Sequence, residues 1–181
     1  MTTTAADVLT HALARTATLG SGRLVCIDGP AGSGKTTLAG QLGTLGGAEV
    51  VHLDDLYPGW DGLFEVDAMV LELLRPLAEG LPGSYRRWDW ATSRYAETRH
   101  VAPAPLLVLE GVGAGNRAWE AWITTLVWVE APPETRLARS IGRDGEDARQ
   151  HLVAWAQDEA RLFAREGTQG RADLVVDTGR D

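Results

Sequence analysis

The chain has 181 residues, 44% of them hydrophobic and 23% charged, and a formal net charge of −8. This is enough chain for one domain with a sizeable core, and its acidity excludes a protein that coats nucleic acid or lies on an anionic membrane, since either needs excess positive charge. No stretch approaches the roughly 20 apolar residues of a membrane helix, the N-terminal region lacks the basic start and continuous apolar run of a secretory signal, and the single cysteine, Cys26, allows no intrachain disulfide, so a reducing, cytoplasmic setting is expected.

Residues 4–19 place Val8, Leu9, Ala12, Leu13 and Ala17 on one helical face, with Asp7 in the first turn and Gly20 at the end, which predicts a leading helix. Leu24, Val25, Cys26 and Ile27 form a short apolar run of the kind found in buried parallel strands, and Gly29, Gly32 and Gly34 punctuate the loop after it. A helix starts near Lys35 and fades in the sequence LGTLGGAE; Val50, Val51 and Leu53 then predict a second strand ending on Asp54 and Asp55. After a loop, Val66, Val70, Leu73, Leu74 and Leu77 recur at helical spacing, in a helix that Pro76 should bend or shorten. Residues 81–104 are polar, aromatic and rich in arginine, and too long for a connector, so they are expected to form an insertion over one edge of the sheet.

LLVLE, residues 106–110, predicts a third strand and ITTLVWVEA contains a fourth; both end in an acid. A helix over PETRLARSIGRDG, interrupted between Gly142 and Gly145, a longer helix from about 146 to 166 and a fifth strand in ADLVVDT complete the pattern. Alternating strands and helices imply one α/β domain over residues 1–181, with a parallel sheet and ligands at the carboxyl ends of its strands.

The spacing Gly29-xxxx-Gly34-Lys35-Thr36 is that of a P-loop. A phosphate chain needs several backbone N–H groups aimed at one point, in turns that a Cβ would obstruct. The loop amides of Gly29, Ala31, Gly32, Ser33 and Gly34, the start of the helix at Lys35, Thr36 and Thr37, and the Lys35 ammonium are therefore the candidate nucleotide site, with the Thr36 hydroxyl a Mg²⁺ ligand. Of 17 basic residues 16 are arginine, and Lys35 is the only lysine. A planar guanidinium cannot replace a compact ammonium threaded between two phosphates.

Glu110, at the end of the third strand, is suited to hold a water on the metal beside Thr36. Asp54 is the candidate base for an acceptor hydroxyl, with Asp55 the reserve; either could instead start an Asx turn. Arg136, Arg139 and Arg143 recur at intervals of three and four, as a solvated helix face or as cations that close on phosphates. In the insertion, Trp88, like Trp60 before it, could stack on a planar ring or form a hydrophobic cover for the sheet.

In order along the chain, GPAGSGKTT, LDDLY, LVLEGV and TRLARSIGRD resemble the motifs of the uridine kinase and phosphoribulokinase-related group of small P-loop kinases, which includes nicotinamide riboside kinases; the resemblance runs from about Arg23 to Asp144. It implies a three-layer P-loop NTPase sandwich with a five-strand parallel sheet in the order 2-3-1-4-5 and a small helical lid near 136–149. It implies an ATP- and Mg²⁺-dependent kinase acting on a hydroxyl, most naturally of a nucleoside or riboside. In that reading Asp54 is the base, Glu110 the magnesium-side acid, and Arg139 and Arg143 the lid arginines. Asp55, Tyr57, Trp88, Asp89 and Arg94 then belong to the acceptor site, with Asp89 on ribose hydroxyls. Other acceptors stay open: a sugar acid, an antibiotic, or a nucleoside monophosphate held by Arg86, Arg87 and Arg94. So does a nucleotide-dependent switch with no small-molecule acceptor.

Overall fold

A computed structural model describes residues 3–179. Its central sheet is built from β1 (Arg23–Asp28), β2 (Glu49–His52), β5 (Leu106–Glu110), β6 (Thr125–Glu130) and β7 (Leu174–Asp177), in the spatial order β2-β5-β1-β6-β7, with every pairing parallel. The two remaining strands, β3 (Gly83–Asp89) and β4 (Arg94–Val101), form a separate antiparallel hairpin. Numbered among themselves, the five parallel strands therefore stand in the order 2-3-1-4-5.

The apolar runs become central strands because both faces of the sheet are covered. Leu24 and Cys26 of β1, with Leu107 and Leu109 of β5, face α3 (Val66–Ala78) and α5 (Arg149–Glu166). Val25, Ile27 and Val108 face α1 (Ala5–Leu13) and α2 (Lys35–Gly46) on the other side. The alternation of side chains along a strand thus divides the core into two layers between three.

Three elements differ from the expectation. The leading helix is capped as the sequence implies, by a reciprocal box between Thr4 and Asp7, but it ends at Leu13 instead of reaching residue 19. Beyond it the Arg15 carbonyl accepts from Arg23 Nε and the Thr18 hydroxyl turns to the Trp122 carbonyl at 2.7 Å, so the backbone finds partners outside a helix. The helix α4 (Pro133–Asp144) runs unbroken through Gly142 and stops only at Gly145, whose φ is +89°. The insertion is a β-hairpin whose first strand packs on α3, with Tyr85 and Val101 in the core. Pro76 falls in the last turn of α3, where its missing N–H costs one bond near the helix end.

Candidate active site

The carboxyl ends of β1, β2 and β5 open into one cavity of about 890 Å³. The P-loop forms its floor. Gly29 and Gly32 have φ of +140° and +74°, and both pack against backbone: a Cβ would lie 2.1 Å from the Val129 carbonyl oxygen at the first and 2.2 Å from that of Arg136 at the second. Lys35 opens α2 and is buried, its Nζ donating 3.0 Å to the Pro30 carbonyl. Gly34, Thr36 and Thr37 join it on the lining, so loop amides, a helix N-terminus and an ammonium converge where phosphates can be received.

On the β5 side the Thr36 hydroxyl donates 3.1 Å to Glu110 Oε1. The same oxygen lies 2.5 Å from His52 Nδ1, at the end of β2. This hydrogen bond raises the imidazole pKa above its usual value, against the opposing effect of partial burial. Among the described residues no cluster of three or more His, Cys, Asp or Glu side chains could hold a metal by itself. The oxygen pair of Thr36 and Glu110 fits a hard cation that takes its other ligands from water and phosphate, as Mg²⁺ does.

Asp54 and Asp55 sit in a single 3-10 turn, Leu53–Asp55, immediately after β2, and both line the cavity. The Asp54 side chain is 58% exposed, toward the cavity, yet partial loss of water to the surrounding protein, and then the nearby charge of Glu110, raise its pKa; Lys35, Arg143 and His52 pull it back down. Arg143 Nη1 stands 4.0 Å from Asp54 Oδ2 while the same guanidinium grips Asp144 at 2.7 and 2.8 Å. Arg139 points to the loop after β7, donating 3.0 Å to both the hydroxyl and the carbonyl of Thr178. Arg136 donates to the Ala131 carbonyl and does not line the cavity.

The wall opposite the P-loop is aromatic. Tyr57 is buried, with its hydroxyl donating 2.7 Å to the Val112 carbonyl, and Trp155 of α5 meets its ring edge-on at 5.0 Å. Trp60 contacts Trp90 at 5.3 Å and Trp155 at 6.1 Å, and Trp90 Nε1 donates 2.8 Å to the Asp54 carbonyl. Trp88, Asp89 and Arg94, expected at the acceptor site, are not brought to this cavity. Asp89 accepts from the Ala91 amide and the Thr92 hydroxyl, closing the hairpin turn, because an aspartate two residues before a free amide satisfies it locally. Trp88 packs edge-on against Tyr95, and Arg94 is exposed on the far strand. Arg87 is paired with Glu97 and Arg86 lies over the Tyr95 ring.

Two further groups shape the site and carry no motif. Asp28, the last residue of β1, is fully buried and accepts from the amides of Gly29, Gly113 and Gly115 at 2.7, 2.8 and 2.9 Å. It ties the P-loop to the glycine-rich turn after β5. Glu159 of α5 is buried and accepts 2.7 Å from the Ala31 amide. Only the position of Asp28, an acid ending an apolar run before a glycine, is visible in the sequence.

The whole architecture recurs in solved structures. A possible uridine kinase from Bacillus stearothermophilus superposes with a TM-score of 0.70 at 24% identity, over 96% of this chain and 97% of that one. A proposed fructose transport system kinase from Silicibacter sp. TM1040 gives 0.66 at 24% identity, over 96% and 98%. At that identity the likeness is one of fold, that of the P-loop NTPases. No curated protein matches in sequence. A family pattern described as an AAA domain matches residues 25–164, from β1 and its P-loop through most of α5, and the chain belongs to that AAA domain family.

Proposed function

We propose that the protein is an ATP- and Mg²⁺-dependent kinase that transfers the γ-phosphate to a hydroxyl of a small metabolite, a nucleoside or riboside. The observation that carries this reading is the position of Asp54: a carboxylate in the same cavity as the P-loop, on the side of the aromatic wall, with the Arg143 guanidinium 4.0 Å away. In this reading the loop amides and Lys35 hold the phosphate chain. Thr36 and Glu110 serve the cation, which supplies neutralisation of phosphate charge when bound. Asp54 accepts the proton of the acceptor hydroxyl and orients its oxygen toward the phosphorus, a contribution of about a hundredfold to ten-thousandfold. Arg143, and Arg139 from the same face of α4, donate to the equatorial oxygens as charge develops on them.

The acceptor side supports a flat, hydroxylated molecule. Trp60, Trp90 and Trp155 offer ring faces and edges, while Asp54 and Asp55 offer acceptors for hydroxyl groups. Of the solved structures of the same fold, one is named a possible uridine kinase and another a kinase of a fructose transport system.

The test is Mg·ATP turnover against nucleosides, ribosides, nucleoside monophosphates and sugars, with products read by mass spectrometry. A nucleoside or riboside gaining one phosphate is expected, with the product lost in Lys35→Ala and reduced at least about a hundredfold in Asp54→Asn. Consumption of ATP that no acceptor accelerates would overturn the reading.

A further inference from the structure

His151, Trp155 and Glu159 are spaced by four residues and form one stripe on α5. The stripe crosses the whole site. His151 stacks on Trp60 with ring centres 5.3 Å apart and planes 9° from parallel. One turn along, Trp155 meets Tyr57 and Trp60 edge-on. At the next turn Glu159, 3% exposed, accepts the Ala31 amide of the P-loop at 2.7 Å. A single helix face thus touches the aromatic wall at one end and the phosphate loop at the other.

In a loop that receives phosphate, a carboxylate on a backbone amide has a direct electrostatic consequence. It occupies a donor with negative charge, next to the place where a polyphosphate brings more, and like charges brought together in a poorly solvated site oppose each other. Burial already disfavours the charged form of Glu159, whereas the Ala31 amide, Lys35 and Arg136 favour it. Entry of phosphate weakens that balance.

We propose that Glu159 is a positioning residue that couples the two halves of the site: its bond to the Ala31 amide ties the phosphate loop to α5, phosphate brought to that loop loosens the bond, and the change passes along α5 through Trp155 to Trp60. The inference rests on the reading of the P-loop as a nucleotide site. Trp155, one turn before Glu159, also favours its charged form, so a change at Glu159 bears directly on the indole. The edge contacts of Trp155 with Tyr57 and Trp60 then change the shape of the acceptor wall before an acceptor arrives.

The test needs no acceptor. The non-hydrolysable analogue Mg·AMPPNP is titrated into the full chain, with affinity read by calorimetry and the wall read by tryptophan emission. The wild type is expected to bind with an emission change that Trp155→Phe diminishes and Lys35→Ala abolishes. Glu159→Gln keeps the size and one acceptor oxygen but removes the charge; it is expected to bind AMPPNP about fivefold more tightly or better, the lower end of usual coupling strengths, with a smaller emission change. Glu159→Ala should shift affinity in the same direction, and circular dichroism with thermal melting identifies any variant that fails to fold. Affinity and emission response indistinguishable from wild type in Glu159→Gln would overturn the coupling while leaving the nucleotide site intact. Equal binding of AMPPNP by the wild type and Lys35→Ala would remove the nucleotide site itself, and the coupling with it.

Discussion

Asp54 draws its chemistry from neighbours that pull in opposite directions. Water displaced by the surrounding protein and the charge of Glu110 raise its pKa, although its side chain stays open to the cavity, so the proposed base is lost at a pH higher than an ordinary aspartate would allow. A base works only when unprotonated; kcat/KM should therefore fall as pH drops, at a higher pH than for an ordinary aspartate, and Asp54→Asn should erase that acid limb. Arg143 lowers the same pKa, so Arg143→Ala should move the limb to higher pH and reduce the plateau on the order of a hundredfold, both visible in one pH–rate series. Glu110 is fixed between Thr36 and His52, and Glu110→Gln should raise the Mg²⁺ concentration for half-maximal turnover about tenfold or more, measured by metal titration. Asp28 concerns stability. An asparagine there turns an NH₂ toward a backbone N–H, so Asp28→Asn should cost about 2 kcal/mol, a melting temperature lower by roughly 4–8 °C in a chain of this size.

At the scale of elements, α4 and the β3–β4 hairpin bracket the cavity in different ways. Only Ser140 of α4 is buried, so this arginine-rich helix is held by a few contacts, and its amides should exchange with solvent faster than those of β1 and β5, as hydrogen exchange can measure. One of those contacts is the close approach of Gly32 to the Arg136 carbonyl. Gly32→Ala would force α4 away and strain a positive φ, and AMPPNP affinity should fall by about tenfold or more with only a modest loss of melting temperature. The hairpin contributes Trp90, which covers Trp60 and anchors the Asp54 carbonyl. Trp90→Phe keeps a ring and loses the anchor. It should therefore lower kcat more than it raises the acceptor KM, a split that steady-state kinetics resolves.

The whole molecule shows which features of a chain announce themselves. Buried parallel strands read as unbroken apolar runs, so β1, β5 and β6 and a parallel α/β sheet were legible, the three layers followed from the resemblance to small P-loop kinases, and Lys35, Thr36, Glu110 and Asp54 stand at the strand and loop ends where their motifs place them. The hairpin was not, because its strands are half exposed, mix charges with aromatic residues and break register between Arg86 and Trp88. The place of Asp89 on ribose hydroxyls came from the resemblance to small P-loop kinases, and an acid among aromatic residues has the same composition whether it faces a cavity or, as here, closes a turn. His52, Asp28 and Glu159 act through partners 58, 85 and 128 residues away, which no local pattern encodes. The P-loop lysine has one more consequence. Since Lys35 is the chain's only lysine, and lies buried with its amine against Pro30, the floor of the cavity is the protein's single side-chain primary amine. An amine-directed acylating reagent would then mark this one place and, apart from the α-amino group, nothing else. The loss of that mark under a bound nucleotide turns intact-protein mass into a direct count of occupied sites.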